Sequence, residues 1–258
     1  MAAATTTKAK RWFPLESNPQ VMNEYIRRMG IAEDAEFAFC DVYSTDDWAL
    51  EMVLRPVLGV VMLFPIKPAQ RERIEKDGQI VSKNVYYMKQ TVGMHAHVHR
   101  CILELIADHH CSVGNACGTV GILHALGNAR DYLPPRTLPV WMFHYAHHEH
   151  IIGHGSFLSS FFSKTDGKTP DEIAAILQAD DEIEETHASA AQDGQSEQLE
   201  HVDDPINTHF VCFSVVDGHL YELDGRKEFP INHGPSSPET LLGVRRNQLS
   251  MPTNQSCR

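Results

Sequence analysis

The chain has 258 residues, 42% of them hydrophobic and 22% charged, a composition that excludes a disordered or fibrous protein and suits one large domain or two small ones. Its 22 Lys and Arg against 34 Asp and Glu leave a formal charge of −12, which argues against a nucleic-acid binder built on phosphate neutralisation and for a basic partner. The opening MAAATTTKAKR lacks the apolar core of a secretory signal, and the longest apolar run, Val57 to Ile66, falls far short of the roughly 20 residues of a membrane span. A cytoplasmic monomer is expected, with access to the nucleus and no membrane partner.

In chain order, Asn18 can cap and Pro19 can open a helix whose apolar positions Met22, Tyr25, Ile26 and Met29 follow the helical period. Gly30 is its stop, and Arg27 and Arg28 sit at its negative end. Phe37 to Val42 and Val57 to Phe64 read as strands; the second is apolar on both faces and is expected at the centre of a sheet. Asn84 to Met88 reads as another short extended piece. Small residues lead from Asn115 into a buried helix on which Val120, Leu123, His124 and Leu126 recur near the helical period. Ser156 to Phe162 and Pro170 to Leu177 read as helices, the second with Asp171 and Glu172 in its first turn. From about Ala179 to Asn207 the chain is acidic and rich in Gln, Ser and Gly, too polar for a core of its own, and is expected as a lid or flexible loop.

In HFVCFSVVDGHLYELDG two alternating stretches meet at Asp217-Gly218, a strong two-residue hairpin signal. If Val216 faces His219, stepping outward along both strands sets His209 opposite Arg226 and Val211 opposite Asp224. His209 and Asp224 are then diagonal neighbours on one face, with backbones about 7–8 Å apart, and the carboxylate can orient the imidazole. A His steered by an Asp is half of a nucleophilic apparatus. Cys117, in Asn-Ala-Cys-Gly-Thr, supplies the rest: small neighbours leave it accessible, and a helix start favours the thiolate. Each residue also has a plainer reading, as a small core hydrophobe, a satisfied strand histidine and a turn former. The six cysteines, at 40, 101, 111, 117, 212 and 257, show no framework spacing and are expected as free thiols.

The strings RWFPLESNPQVMNEYIRRMG, KQTVG, NACGTVGILHA and HFVCFSVVDGHLYELDGRKEFPINHG resemble the ubiquitin carboxyl-terminal hydrolase family, papain-like thiol proteases acting on the C-terminal tail of ubiquitin. The likeness covers most of residues 11–93, 115–130 and 155–242. It implies an α+β fold, α/β in the broad sense, with a central antiparallel sheet flanked by helices in a single domain over residues 1–258. It also implies Cys117 as nucleophile, His209 as general base and acid, Asp224 as its orienter and Gln90 as a donor to the oxyanion hole. The implied substrate contacts fall on Pro14, Leu15, Glu16, Ser17, Asn18 and Pro19. A second group, Gln192, Asp193, Gly194, Gln195, Ser196 and Glu197, belongs to a lid running to Leu199, under which the substrate tail threads, so that large folded leaving groups are excluded. Ubiquitin or a ubiquitin-like modifier is the implied partner, its basic tail suited to an acidic surface, and no cofactor or metal is required.

Two stretches depart from the family pattern. The family's glutamine lies six residues before its cysteine, whereas Gln90 and Cys117 are 27 apart. Met94 to Gly114 interrupts the string, and its closing SVG echoes the TVG before it. The second stretch, roughly Asp131 to His154, separates the nucleophile helix from the GSFLSSFF helix, and together the two hold ten of the 16 histidines. His95, His97 and His99 alternate as strand-borne metal ligands would, with Cys101, Cys111, His147, His148 and His150 as further donors. No pair has the tight spacing of a zinc signature, which favours unselected sequence read through, as from altered splicing. Residues 243–258 lack a periodic apolar pattern where the family has a helix and a final strand, a loss that would expose a sheet edge. The competing readings are therefore a catalytically impaired ubiquitin-binding isoform and, more remotely, a His-rich metal-binding protein.

Overall fold

The first helix, α1 (Pro19–Arg28), starts where Asn18 accepts the Gln20 N–H and ends before Gly30, whose φ of 115° turns the chain away. It buries Val21, Met22, Tyr25 and Ile26. The computed structural model describes residues 11–66, 81–92, 111–112, 114–132, 151–196, 199–202 and 204–243. After α1 come α2 (Asp47–Glu51), β1 (Gly59–Pro65), β2 (Thr91–Val92), β3 (Cys111–Ser112), α3 (Cys117–Asn128), α4 (Phe157–Thr165), α5 (Pro170–Gln178) and α6 (Asp181–Gln192). The chain closes with β4 (Thr208–Val216), β5 (His219–Leu223) and β6 (Ile231–Pro235). Four strands form an antiparallel sheet in the order β1-β4-β5-β6, while β2 and β3 pair separately. The fold is thus α+β. Gly118 to Gly127 of α3 are all buried, as a helix apolar on every side requires, and α3 packs against β4 and β1. No helix among the described residues is long and apolar enough to cross a membrane.

The hairpin has the expected register, Val216 facing His219 through to Cys212 facing Leu223. Asp217 and Gly218 take φ values of 50° and 74°, both positive as a tight hairpin turn with the twist of its strands demands. β6 then extends the sheet beyond β5, an addition that no alternation in the sequence announces.

Three expectations are corrected. The Val57 to Phe64 strand forms as β1 but lies at the edge of the described sheet, not at its centre. It is apolar on both faces because Val61 meets the main core on the α3 side while Val60, Met62 and Phe64 pack with Val57, Val211, Phe213 and Leu241 on the other. Burial of two faces says nothing about hydrogen-bonded neighbours.

Phe37 to Val42 and Asn84 to Met88 form no strand of a sheet. Asn23 of α1 serves Phe39 instead: its Oδ1 accepts the Phe39 N–H at 2.7 Å and its Nδ2 donates to the Phe39 carbonyl at 2.9 Å. Asn128 of α3 does the same for Tyr86, with both bonds at 2.8 Å. A side-chain amide offers the donor and acceptor of a peptide unit, so one residue substitutes for a neighbouring strand.

The first part of the stretch from Ala179 is a helix, α6, rather than lid. Asp180 accepts the Ile183 N–H, Asp181, Glu182 and Glu184 occupy the first turn, and Ile183, His187, Ala190 and Ala191 form a buried stripe. Alanine and histidine made that stripe look polar. What remains outside regular structure begins after Gln192.

Candidate active site

Cys117 is the first residue of α3, and the chain reaches it through Asn115 in the left-handed conformation, φ 64°. The Asn115 Nδ2 donates to the carbonyls of Trp12 at 2.8 Å and Val202 at 3.4 Å, fixing the entry to the helix between two distant segments. Gly118 permits a close approach, since a Cβ there would lie 3.1 Å from the side chain of buried Leu15.

The hairpin delivers the other two residues. His209 lies in β4, and Asp224 follows the last residue of β5, where the chain turns away from the ladder. The buried His209 Nε2 donates to Asp224 Oδ1 at 2.7 Å, and the same oxygen accepts the Arg226 N–H at 2.9 Å. Phe64 stands edge-on to the imidazole at 5.9 Å between ring centroids, restraining its plane. With Nε2 committed to Asp224, Nδ1 is the ring nitrogen left for the Cys117 thiol, and the thiol and imidazole are near enough for each to shift the other's ionisation.

The electrostatics run in one direction. Burial pushes the Cys117 thiol up, but the His209 imidazole, the Phe210 N–H and the charge of Arg226 outweigh it and hold the thiol below its ordinary value. Burial disfavours the His209 imidazolium, yet the Asp224 carboxylate and the thiol raise its pKa above the usual value. Asp224 is likewise burdened by burial and is held below the ordinary carboxylate range chiefly by His209. The arrangement favours a thiolate beside an imidazolium braced by a carboxylate.

Gln90 is buried just before β2, and its N–H donates to the Gly225 carbonyl at 2.7 Å. A Cβ on Gly225 would come within 3.1 Å of Gln90 N and 3.0 Å of Val120 Cγ1, so Gly225, in the turn after Asp224, sits against both Gln90 and the first turn of α3. The 27-residue separation is bridged because Thr91 pairs with Ser112 and Val92 with Cys111, bringing the two ends of the interrupting stretch face to face. Gly114 then pairs with Arg11 and accepts the Trp12 N–H at 3.0 Å.

Of the expected substrate contacts, Leu15 is turned into the core, whereas Pro14, Glu16, Ser17, Asn18 and Pro19 are at least partly exposed. Glu16 joins the two groups: its Oε2 accepts the Ser196 N–H at 2.8 Å, and that bond, with further N–H and amide donors, holds its carboxyl below the usual range. Asp193 is paired with Arg28 of α1 at 2.8 Å, and Gln192, Gly194, Gln195 and Ser196 lie along the surface. Glu197 lies outside the described residues, as do His95, His97, His99, Cys101, His147, His148 and His150. Among the described residues no group of three His, Cys, Asp or Glu could hold a metal ion.

One support of the site carried no sequence signal. His187 of α6, fully buried, donates from Nε2 to the Phe13 carbonyl at 2.6 Å and accepts at Nδ1 from Thr119 Oγ1 at 2.7 Å. Thr119 Oγ1 also meets the Tyr25 hydroxyl at 2.8 Å. Burial lowers the His187 pKa to about 4, keeping it neutral, and the network ties α1, α6 and the segment before α1 to α3 two residues past Cys117.

Comparison with known proteins agrees with this geometry. The family model described as ubiquitin carboxyl-terminal hydrolase, family 1, matches residues 12–110 and 109–250, two segments that meet inside the interrupting stretch. Ubiquitin carboxyl-terminal hydrolase 3 of Arabidopsis thaliana is 43% identical over 245 residues, 93% of this chain and 86% of the relative. Isozyme L1 of Homo sapiens is 36% identical over 235 residues, 89% and 85% of the two chains. The UCH37 catalytic domain of Trichinella spiralis, solved bound to ubiquitin vinyl methyl ester, shares the fold with a TM-score of 0.58 at 17% identity, covering 96% of this chain and 92% of its own.

Proposed function

Because the chain belongs to family 1 of the ubiquitin carboxyl-terminal hydrolases, we propose that it is a deubiquitinating cysteine hydrolase, cleaving the amide or ester bond after the C-terminal glycine of ubiquitin. The observation that carries the reading is the imidazole that Asp224 holds at 2.7 Å, with its other ring nitrogen left for the thiol at the start of α3 whose ionisation it favours.

In this mechanism the Cys117 thiolate attacks the glycine carbonyl carbon, and the carbonyl electrons move onto the oxygen. Gln90 donates to that oxyanion. Collapse of the tetrahedral intermediate breaks the bond to the leaving amine or alkoxide, which takes a proton from the His209 imidazolium, and a thioester remains. His209, now neutral, removes a proton from water as the oxygen attacks the thioester, and the second collapse frees the thiolate and the carboxylic acid, which gives up its proton to solvent. Asp224 stabilises the imidazolium in both halves and keeps Nδ1 aimed at the sulfur.

The test is incubation with ubiquitin bearing a C-terminal vinyl methyl ester, followed by mass analysis. A single covalent adduct on Cys117, absent in Cys117→Ala, is expected. Tight but non-covalent binding of the probe would instead identify a catalytically impaired ubiquitin-binding isoform.

A further inference from the structure

We infer that Tyr87 is a positioning residue of the triad: its hydroxyl grips the turn that carries Asp224 while its ring is seated on the helix that carries Cys117. The inference rests on the triad reading above, but it concerns a residue outside the reacting set.

Tyr87 is buried, and its hydroxyl lies 2.7 Å from the Asp224 carbonyl oxygen and 2.6 Å from that of Lys227. Its one proton serves either carbonyl, so the hydroxyl sits inside the mouth of the turn. That turn is otherwise closed by the Lys227 N–H donating to Asp224 O at 2.9 Å and the Arg226 N–H donating to Asp224 Oδ1 at 2.9 Å. At its other end the Tyr87 ring stacks on His124 of α3, with centroids 5.1 Å apart and an interplanar angle of 14°. His124 is fully buried and bound through Nε2 to the backbone of Met88 at 3.1 Å. Burial lowers its pKa to about 4, so the stack is between neutral rings.

These contacts close a circuit. Cys117 and His124 share one rigid helix; His124 seats Tyr87; Tyr87 holds the Asp224 backbone; Asp224 holds His209; His209 meets Cys117. The carboxylate and the sulfur are therefore indexed to each other by a route that does not pass through the imidazole. Catalytic groups need to be held within about 0.5 Å of their working geometry, and a carboxylate at the end of a strand, past the last ladder pair, has no sheet partner to do this.

The experiment is Tyr87→Phe in the full chain, which keeps the ring and removes the hydroxyl. Alkylation of Cys117 by iodoacetamide is followed against pH, with the adduct located by mass, alongside turnover of a ubiquitin C-terminal ester and thermal melting. Loosening Asp224 weakens the imidazolium and with it the thiolate, so the acid limb of alkylation should move to higher pH. Turnover should fall roughly three- to tenfold, the rate equivalent of one neutral hydrogen bond, in kcat rather than KM. In an Asp224→Asn background the same change should add no further loss to alkylation or kcat. A lowered melting temperature with an unmoved acid limb would make Tyr87 a purely structural residue and overturn the inference, as would losses that multiply in the double variant. If the unaltered chain alkylates at Cys117 but does not turn over the ester, the hydrolase reading fails, and the shift of the acid limb still decides the role of Tyr87.

Discussion

The 2.7 Å bond between His209 and Asp224 has opposite consequences for its two partners. Asp224, lowered from 3.8, contributes stability that is complete above its unfolded pKa and is lost as pH falls through the folded one. His209, raised from 6.5, contributes stability that is complete below its unfolded pKa and is lost as pH rises through the folded one. Between those limits the thiol, lowered from 9.0, is the group that sets reactivity. Alkylation of Cys117 should therefore reach its plateau below the pH at which an ordinary thiol does, and Asp224→Asn should carry that rise upward. In steady-state turnover His209→Ala should cost nearly as much as Cys117→Ala, because members of one catalytic unit are non-additive, and Asp224→Asn should be milder by roughly one to two orders of magnitude. Cys101→Ala is the control expected to change nothing. Activity of His209→Ala within a few-fold of the parent would remove His209 from the mechanism.

Elements were legible where period and punctuation agreed. α1, α4 and α5 combine apolar residues at helical spacing with a capping Asn18, Ser156 or Thr169, and Asp217-Gly218 fixes the hairpin register as far as Cys212–Leu223; the expected pairs Val211–Asp224 and His209–Arg226 lie beyond that ladder, and His209 meets Asp224 by its side chain instead. α6 was hidden because its buried stripe uses Ala190, Ala191 and His187, residues whose placement depends on what packs against them. Alternation at Phe37 to Val42 indicates extended backbone but not its partner, and here the partner is a single asparagine. Tyr87, Thr119 and His187 left no pattern, since buried polar contacts are set by distant segments. Asn128→Ala tests the asparagine device: it strands the N–H and C=O of buried Tyr86, and at about 1–3 kcal/mol for each unsatisfied group the loss should appear as a clear drop in melting temperature. A melting point equal to the parent's would show that water replaces the amide. The loop after α6 supports a different measurement. Glu16 pins it at Ser196, so Glu16→Ala, or added Gly and Ser between Gln192 and Leu199, should raise the ratio of folded-ubiquitin-dimer cleavage to small-ester cleavage. An unchanged ratio in both variants would end the threading idea.

At the scale of the whole molecule, the interrupting stretch is joined to the framework through the two pairs Thr91–Ser112 and Val92–Cys111, beside both Gln90 and the approach to Cys117. Cys111 stands six residues before Cys117, the position at which the family string carries its glutamine. Deleting Met94 to Gly114 restores the uninterrupted QTVGNACG, and turnover should rise at least about tenfold, a conservative part of what one oxyanion-hole donor contributes. Equal rates for the two proteins, both shown to be folded, would mean that the short ladder already holds Gln90 in place. The same ladder and the hairpin impose opposite rules on how the gene can change length. One residue gained or lost between His209 and Val216 would turn the imidazole to the other face of the sheet, whereas residues added beyond Val92 cost only the logarithm of their number. Insertions and deletions in descendants of this gene should therefore gather between Val92 and Cys111, upstream of Cys117, and spare the hairpin, so that distance along the coding sequence is a poor guide to which of its parts must be inherited together.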